Sequence, residues 1–207
     1  MTLRVLLCAA LVCPVQIFAQ AVAPAGDAVY QLRYFANLNI ADSVINLTNT
    51  GALGGSDPGG RICANVFVFD PASDMVACCA CPVAPNGLMS YSVKDDLLSN
   101  TLSPAVPTSV TVKLLATVGS QFGVALTCNP KSPAGTNLAR GMVAWAGTVR
   151  STRLTSPPVT LFTATETEFS KGELSATELN KLTTSCGFIQ ANGSGFGICK
   201  ACKTGGK

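Results

Sequence analysis

Cysteine placement constrains this chain more than any other feature. Ten cysteines occur, and all those beyond Cys13 lie between Cys63 and Cys202. Cys8 and Cys13 fall in an N-terminal stretch with the marks of an export signal. Arg4 supplies a positive charge, Val5 to Val12 form an apolar run, and small Ala19 and Ala21 sit where a signal peptidase needs them. Cleavage after Ala21 leaves Val22 to Lys207 with an even set: Cys63, Cys78, Cys79, Cys81, Cys128, Cys186, Cys199 and Cys202. The apolar run is well short of the ~20 residues that span a bilayer. Leu7 and Val12 precede Cys8 and Cys13, so neither cysteine has the small neighbour that lipidation requires. An even number of cysteines in an exported chain predicts a disulfide framework, here with 105 conceivable pairings among eight thiols.

Strand geometry narrows two of those pairings. Ile62 to Phe69 and Met75 to Cys81 flank Asp70-Pro71-Ala72-Ser73-Asp74, a strong turn signal. If Asp70 and Asp74 close the loop, Cys63 stands opposite Cys81, and a slip of two residues substitutes Cys79. Opposed strand residues lie ~4.5–5.5 Å apart, which a disulfide accepts. Cys186 to Ala191 and Ser194 to Cys199 flank Asn192-Gly193, the strongest two-residue hairpin signal. Counting outward pairs Cys186 with Cys199. Neighbours on a strand face opposite ways, so Cys78 and Cys79 are expected to bond in different layers, with Cys128 and Cys202 as partners in an unassigned order.

Strand-like segments dominate the rest. Tyr30 to Phe35, Ser43 to Thr48, Leu88 to Val93, Ser109 to Leu114, Phe122 to Cys128, Gly141 to Val149 and Val159 to Thr165 join the two cysteine-bearing runs. About nine short strands divided by turns, without intervening helices, predict an antiparallel β-sandwich of jelly-roll or Ig-like type in one domain over residues 22–207. One short helix is expected from Ser175, where Ser175-Ala176-Thr177-Glu178 forms a capping box and Leu179 and Leu182 share a face with Ala176. Helix and disulfide-tied hairpin would clasp the sandwich over about residues 170–202. Gly51 to Gly60 is a glycine-rich loop.

Charged residues make up 12% of the chain, about half the usual share, so Ser, Thr, Asn and Gln must supply the polar surface. The net charge of +3 falls to +2 without Arg4, which gives no reason to expect nucleic acid or anionic lipid as a partner. The chain has no histidine, which removes the commonest general base and the usual Ser-His and Cys-His pairs. Asp95-Asp96 reads as a solvated turn. Glu166 and Glu168 would share a face if their segment is a strand, among the exposed Thr165, Thr167 and Lys171. Ser170-Lys171 is a poor dyad because neighbours in sequence rarely meet. The glycines of Asn192 to Gly197 lack the lysine of a phosphate loop. Cys-Cys-x-Cys at 78–81 and Cys-x-x-Cys at 199–202 resemble thiolate ligand sets, but an oxidising compartment favours disulfides, so neither metal nor cofactor is expected.

Trp145, the sole tryptophan, lies in an apolar strand. Core packing is the plain expectation. A sugar-stacking platform is the alternative, and it requires Trp145 exposed beside polar groups such as Asn137 or Arg140, or an exposed Tyr30/Tyr34 pair in a groove. Asn46-Leu47-Thr48 and Asn192-Gly193-Ser194 match glycosylation sequons, which matter only in a eukaryotic host.

The stretch Cys78-Cys79-Ala80-Cys81-Pro82-Val83-Ala84-Pro85-Asn86-Gly87-Leu88 resembles a signature of uncharacterised secreted bacterial proteins. Cys186-Gly187-Phe188-Ile189-Gln190-Ala191-Asn192-Gly193-Ser194-Gly195-Phe196-Gly197-Ile198-Cys199 is similar to the same group. The resemblance spans most of the mature chain and implies bacterial export, with no activity, ligand or site attached.

The expectation is therefore a secreted, non-catalytic surface, structural or binding module that contacts protein or glycan at the cell surface. Self-assembly is a variant, in which the apolar Val22 to Tyr30 would suit a segment exchanged between subunits. A carbohydrate-binding accessory module is the alternative, and a hydrolase using Glu166, Glu168, Asp95 or Asp96 a more distant one.

Overall fold

A computed structural model of the chain describes residues 28–51, 59–99, 105–118, 120–122, 125–131, 138–156 and 158–192. The expected export signal, Val22 to Asp27 and the expected Asn192-Gly193 turn with its second strand thus lie wholly or partly outside the described residues, as do Cys199 and Cys202.

Two antiparallel sheets face each other. Strands β1 (Tyr30–Phe35), β2 (Ser43–Asn49), β3 (Ile62–Phe69), β4 (Met75–Val83), β5 (Leu88–Ser92), β6 (Val110–Thr117), β9 (Met142–Thr155), β10 (Pro158–Glu168) and β11 (Ser170–Lys171) build them. One sheet runs β11-β1-β6-β3-β4 and the other β10-β9-β2-β5. The expected strand Phe122 to Cys128 is instead a small hairpin, β7 (Ser120–Phe122) with β8 (Ala125–Thr127).

The core follows from alternation. Residues of β3 are buried on both faces. Ala64, Val66 and Val68 pack with Leu114, Ile45 and Leu47 between the sheets, whereas Phe67 and Phe69 face the other way. That second face is covered by α1 (Ala176–Asn192), whose Leu182, Cys186 and Ile189 are buried against Tyr30, Phe67 and Leu115. The chain changes sheets at Phe169, which lies between β10 and β11. Its N–H donates to the Ala144 carbonyl, and its ring meets that of Phe35 at 6.0 Å.

The helix begins where the capping box places it, with the Glu178 N–H donating to Ser175 Oγ at 3.1 Å. The Glu178 carboxylate does not turn back to the cap. It accepts from Lys113 Nζ at 2.5 Å and from the Tyr30 hydroxyl at 3.3 Å, tying α1 to the sheet. Burial and the Glu178 charge push the Tyr30 hydroxyl well above the ordinary tyrosine range. Beyond Cys186 the expected strand is absent, because Cys186 to Asn192 continue the helix. Leu179, Leu182, Cys186 and Ile189 recur at helical spacing and all pack on the sheet.

Both disulfide pairings expected from strand geometry are corrected. Cys63 is bonded to Cys128, not Cys81, and Cys186 to Cys78, not Cys199. The Asp70–Asp74 loop closes as expected, with Asp70 N–H donating to the Asp74 carbonyl at 2.9 Å and Phe69 opposite Met75. An irregularity then slips the register by one residue, so Val68 faces Ala77 and Cys63 faces Pro82. A one-residue slip moves side chains to the opposite face. Cys81 therefore joins Cys79 in the inter-sheet core, while Cys78 faces α1. The two adjacent cysteines do lie in different layers, but Cys78 takes neither expected partner and Cys128 bonds neither of the two; Cys79 and Cys81 are disulfide-bonded as well.

Candidate functional site

Helix α1 packs on the other sheet, and among the described residues no helix covers the outer face of the β10-β9-β2-β5 sheet. On β2 the buried Ile45 and Leu47 alternate with Val44, Asn46 and Thr48 on that outer face. On β9 the buried Ala144 and Ala146 flank Trp145, which is half-buried and projects outward with Val143 and Gly147. Trp145 is thus not a core residue. The register sets Ser90, Asn46, Trp145 and Glu168 side by side across four strands. The next row holds Ser92, Val44, Gly147 and Glu166.

The chemistry of these rows is amphipathic. Ser90 Oγ donates to Asn46 Oδ1 at 2.6 Å, which orients the amide and leaves its N–H groups available. Glu166 and Glu168 are fully exposed and share one face of β10, as the strand reading required. Gly147 leaves the position beside Trp145 without a side chain, and a Cβ there would meet only Glu166, at 3.9 Å. An aromatic ledge therefore adjoins a hollow, edged by amide donors, carboxylate acceptors and the exposed Val44 and Leu88.

The partners expected for Trp145 are not the ones that meet it. Asn137 lies outside the described residues, and Arg140, itself exposed, lies before β9 between the buried Ala139 and Gly141. Asn46 takes that place, although in the sequence it signals only a sequon. Alternation over Ser43 to Thr48 does put Asn46 on the polar face, but nothing local says that β2 lies beside β9.

The Tyr30/Tyr34 groove does not form. Tyr30 is buried under α1, whereas Tyr34 is 63% exposed and borders a small cleft with Asp70, Pro71, Ser73 and Ser109. Both lie on the sheet opposite the one that carries Trp145.

The carboxylates of Asp96 and Asp42 serve structure. Val93–Leu98 form a π-helical turn capped by Ser92, whose Oγ accepts from the Asp95 N–H at 2.8 Å. Asp96 Oδ2 accepts from the Ser92 N–H at 2.8 Å, and Asp42 Oδ1 accepts from the N–H groups of Ser43 and Lys94. Burial and the charge of Asp96 push the Tyr91 hydroxyl far above its ordinary range. Ser170 and Lys171 pair with Leu32 and Gln31 as strand neighbours, so their side chains diverge. Among the described residues no cluster of three or more Cys, Asp or Glu could hold a metal ion, and no helix is long and apolar enough to cross a membrane.

No family model, curated protein or solved structure matches this chain.

Proposed function

We propose that this chain is an exported, non-catalytic binding module whose outer sheet face recognises carbohydrate. The observation that carries this reading is the row Ser90–Asn46–Trp145–Glu168, a partly exposed tryptophan set between an amide and a carboxylate. A pyranose ring is amphipathic in the same way, with an apolar C–H face bordered by hydroxyls. Stacking on Trp145 would bury that apolar face, while Asn46 donates to one hydroxyl and Glu168 accepts from another. A flat open strip suits a polymer chain better than a small metabolite, which needs a concave pocket to be enclosed.

Export is supported by the disulfides Cys63–Cys128 and Cys78–Cys186, which persist in oxidising compartments, and by the leader-like first 21 residues. The non-catalytic part rests on the lack of histidine and on the use of Asp42 and Asp96 as caps. Binding to insoluble polysaccharides, assayed by depletion from the supernatant, tests the reading. The chain should be retained by at least one of cellulose, chitin, mannan or peptidoglycan, and Trp145→Ala should be released. Equal retention of the two proteins, or none on any polymer, would count against it.

A further inference from the structure

The β9–β10 hairpin runs past the sandwich. Only Met142–Asn49 through Thr148–Ser43 join β9 to β2, so beyond Thr148 the hairpin continues as a two-stranded ribbon. Seven more residues of β9 give this arm a reach of about 23 Å. Every residue of β10 is exposed, including Val159, Leu161 and Phe162, the last at 65%. A lone two-stranded ribbon is marginal in water and gains stability from a third strand. Exposed edges are usually blunted by proline, lysine, a bulge or brevity, and on β10 only Pro158, at its first position, serves that way. Beyond Pro158 the strand is open: it is 11 residues long, pairs without a break, and carries no charge before Glu166.

We infer that β10 is the docking edge for a second copy of this chain, the two β10 strands pairing antiparallel about a two-fold axis at Thr163. The copy is favoured over another protein because the edge complements itself. Pairing about Thr163 sets Phe162 against Ala164, Leu161 against Thr165, and Thr160 against Glu166 of the partner subunit. Thr160 already stands opposite Arg153 on β9. Each arm tip thus brings a guanidinium within one strand of the partner subunit's Glu166, so basic tip meets acidic base twice. An isologous contact of this kind closes, joining two four-stranded sheets into one of eight strands and stopping at the dimer. The inference does not rest on the carbohydrate reading: Trp145 and Asn46 take no part, although the pairing edge runs on to Glu166 and Glu168 of that face.

Sedimentation velocity on the oxidised chain over a range of concentrations tests it. The wild-type chain should pass from monomer to dimer and no further. Thr163→Lys opposes two lysines on the axis and should raise the dissociation constant by about tenfold or more. Mixing Thr163→Lys with Thr163→Glu should restore a dimer that neither variant forms well alone, which guards against misfolding as the cause. A wild-type chain that stays monomeric at its highest attainable concentration would overturn the inference. So would Thr163→Lys dimerising like wild type, or growth beyond the dimer.

Discussion

Replacing Asn49 by alanine should destabilise the fold far more than any nearby change on the outer face. Asn49 ends β2 and is only 1% exposed. Its Nδ2 donates to the Gly60 carbonyl at 2.9 Å and to the Val83 carbonyl at 3.0 Å. Its Oδ1 accepts from the Gly51 N–H at 2.9 Å. One side chain thereby ties the end of β2 to the end of β4, across the two sheets, and holds the start of the intervening loop. Alanine removes three hydrogen bonds and leaves two carbonyls and an amide to find other partners. At about 1 kcal/mol for each lost bond, with more where a group stays dry, the cost is about 3 kcal/mol. For a domain of this size that corresponds to a fall in Tm of about 6–12 °C. Guanidinium unfolding with the disulfides intact measures it. Asn49→Asp is the sharper control, because it keeps the acceptor for Gly51 but loses both donors, so it should be at least as damaging as alanine. Asn46→Ala, three residues earlier on the outer face, should change stability by less than about 0.5 kcal/mol. Equal midpoints for Asn49→Ala and wild type would refute the reasoning.

Leu182→Ala, under the centre of α1, should cost about 2–5 kcal/mol in the same unfolding experiment, while exposed Thr177→Ala should cost almost nothing. Base should unfold the protein. Tyr30 and Tyr91 have folded-state values raised above the ordinary 10.0, so the neutral-hydroxyl contribution is complete below pH 10 and is lost as pH climbs beyond it. Tyrosinate absorbance should therefore show these two hydroxyls ionising together with loss of structure, and smooth titration of a still-folded protein would contradict this. Peptide mapping without reductant should yield Cys63–Cys128 and Cys78–Cys186 linkages. A Cys63–Cys81 or Cys186–Cys199 peptide would contradict the structure.

Elements with one buried face are the plainest in the sequence, although Ile62 to Phe69, buried on both faces, and Val159 to Thr165, exposed throughout, are legible as strands too. Ser43 to Thr48 and Val110 to Leu114 alternate because each packs one side on the core, and both form strands. The expected strand Gly141 to Val149 stops short of Thr155, where β9 ends, because the outer part of the arm lies beyond the sandwich and no burial imprints a period there. At the C-terminal end the hairpin expected at Asn192-Gly193 fails for a different reason: an Asn-Gly pair follows a helix as readily as it turns a hairpin, and Cys186 to Asn192 are helical. The 3–4 spacing of Leu179, Leu182, Cys186 and Ile189 favoured the helix, but the glycine at Gly187 and the symmetric flanks of the pair masked it. The Cys63–Cys81 expectation failed on one slipped residue near Val68, a feature set by packing and without a local signature. The candidate site was legible only in part. Trp145 stands out in the sequence, and the shared face of Glu166 and Glu168 follows from period 2. That Asn46 and Glu168 flank Trp145 depends on strand order, which long-range packing decides.

Because Trp145 is the sole tryptophan, its fluorescence reports directly on the proposed surface. Titrating the oxidised chain with soluble oligosaccharides of glucose, N-acetylglucosamine and mannose is the most direct test. The expected result is a saturable change in intensity and a shift to shorter wavelength with one of these sugars. Glu168→Ala and Asn46→Ala should weaken it at least about tenfold without altering the starting spectrum, as loss of hydrogen bonds in a polar site would do. An emission spectrum unmoved by every sugar, or a response that both variants retain in full, would contradict the assignment of this face as a carbohydrate-binding surface.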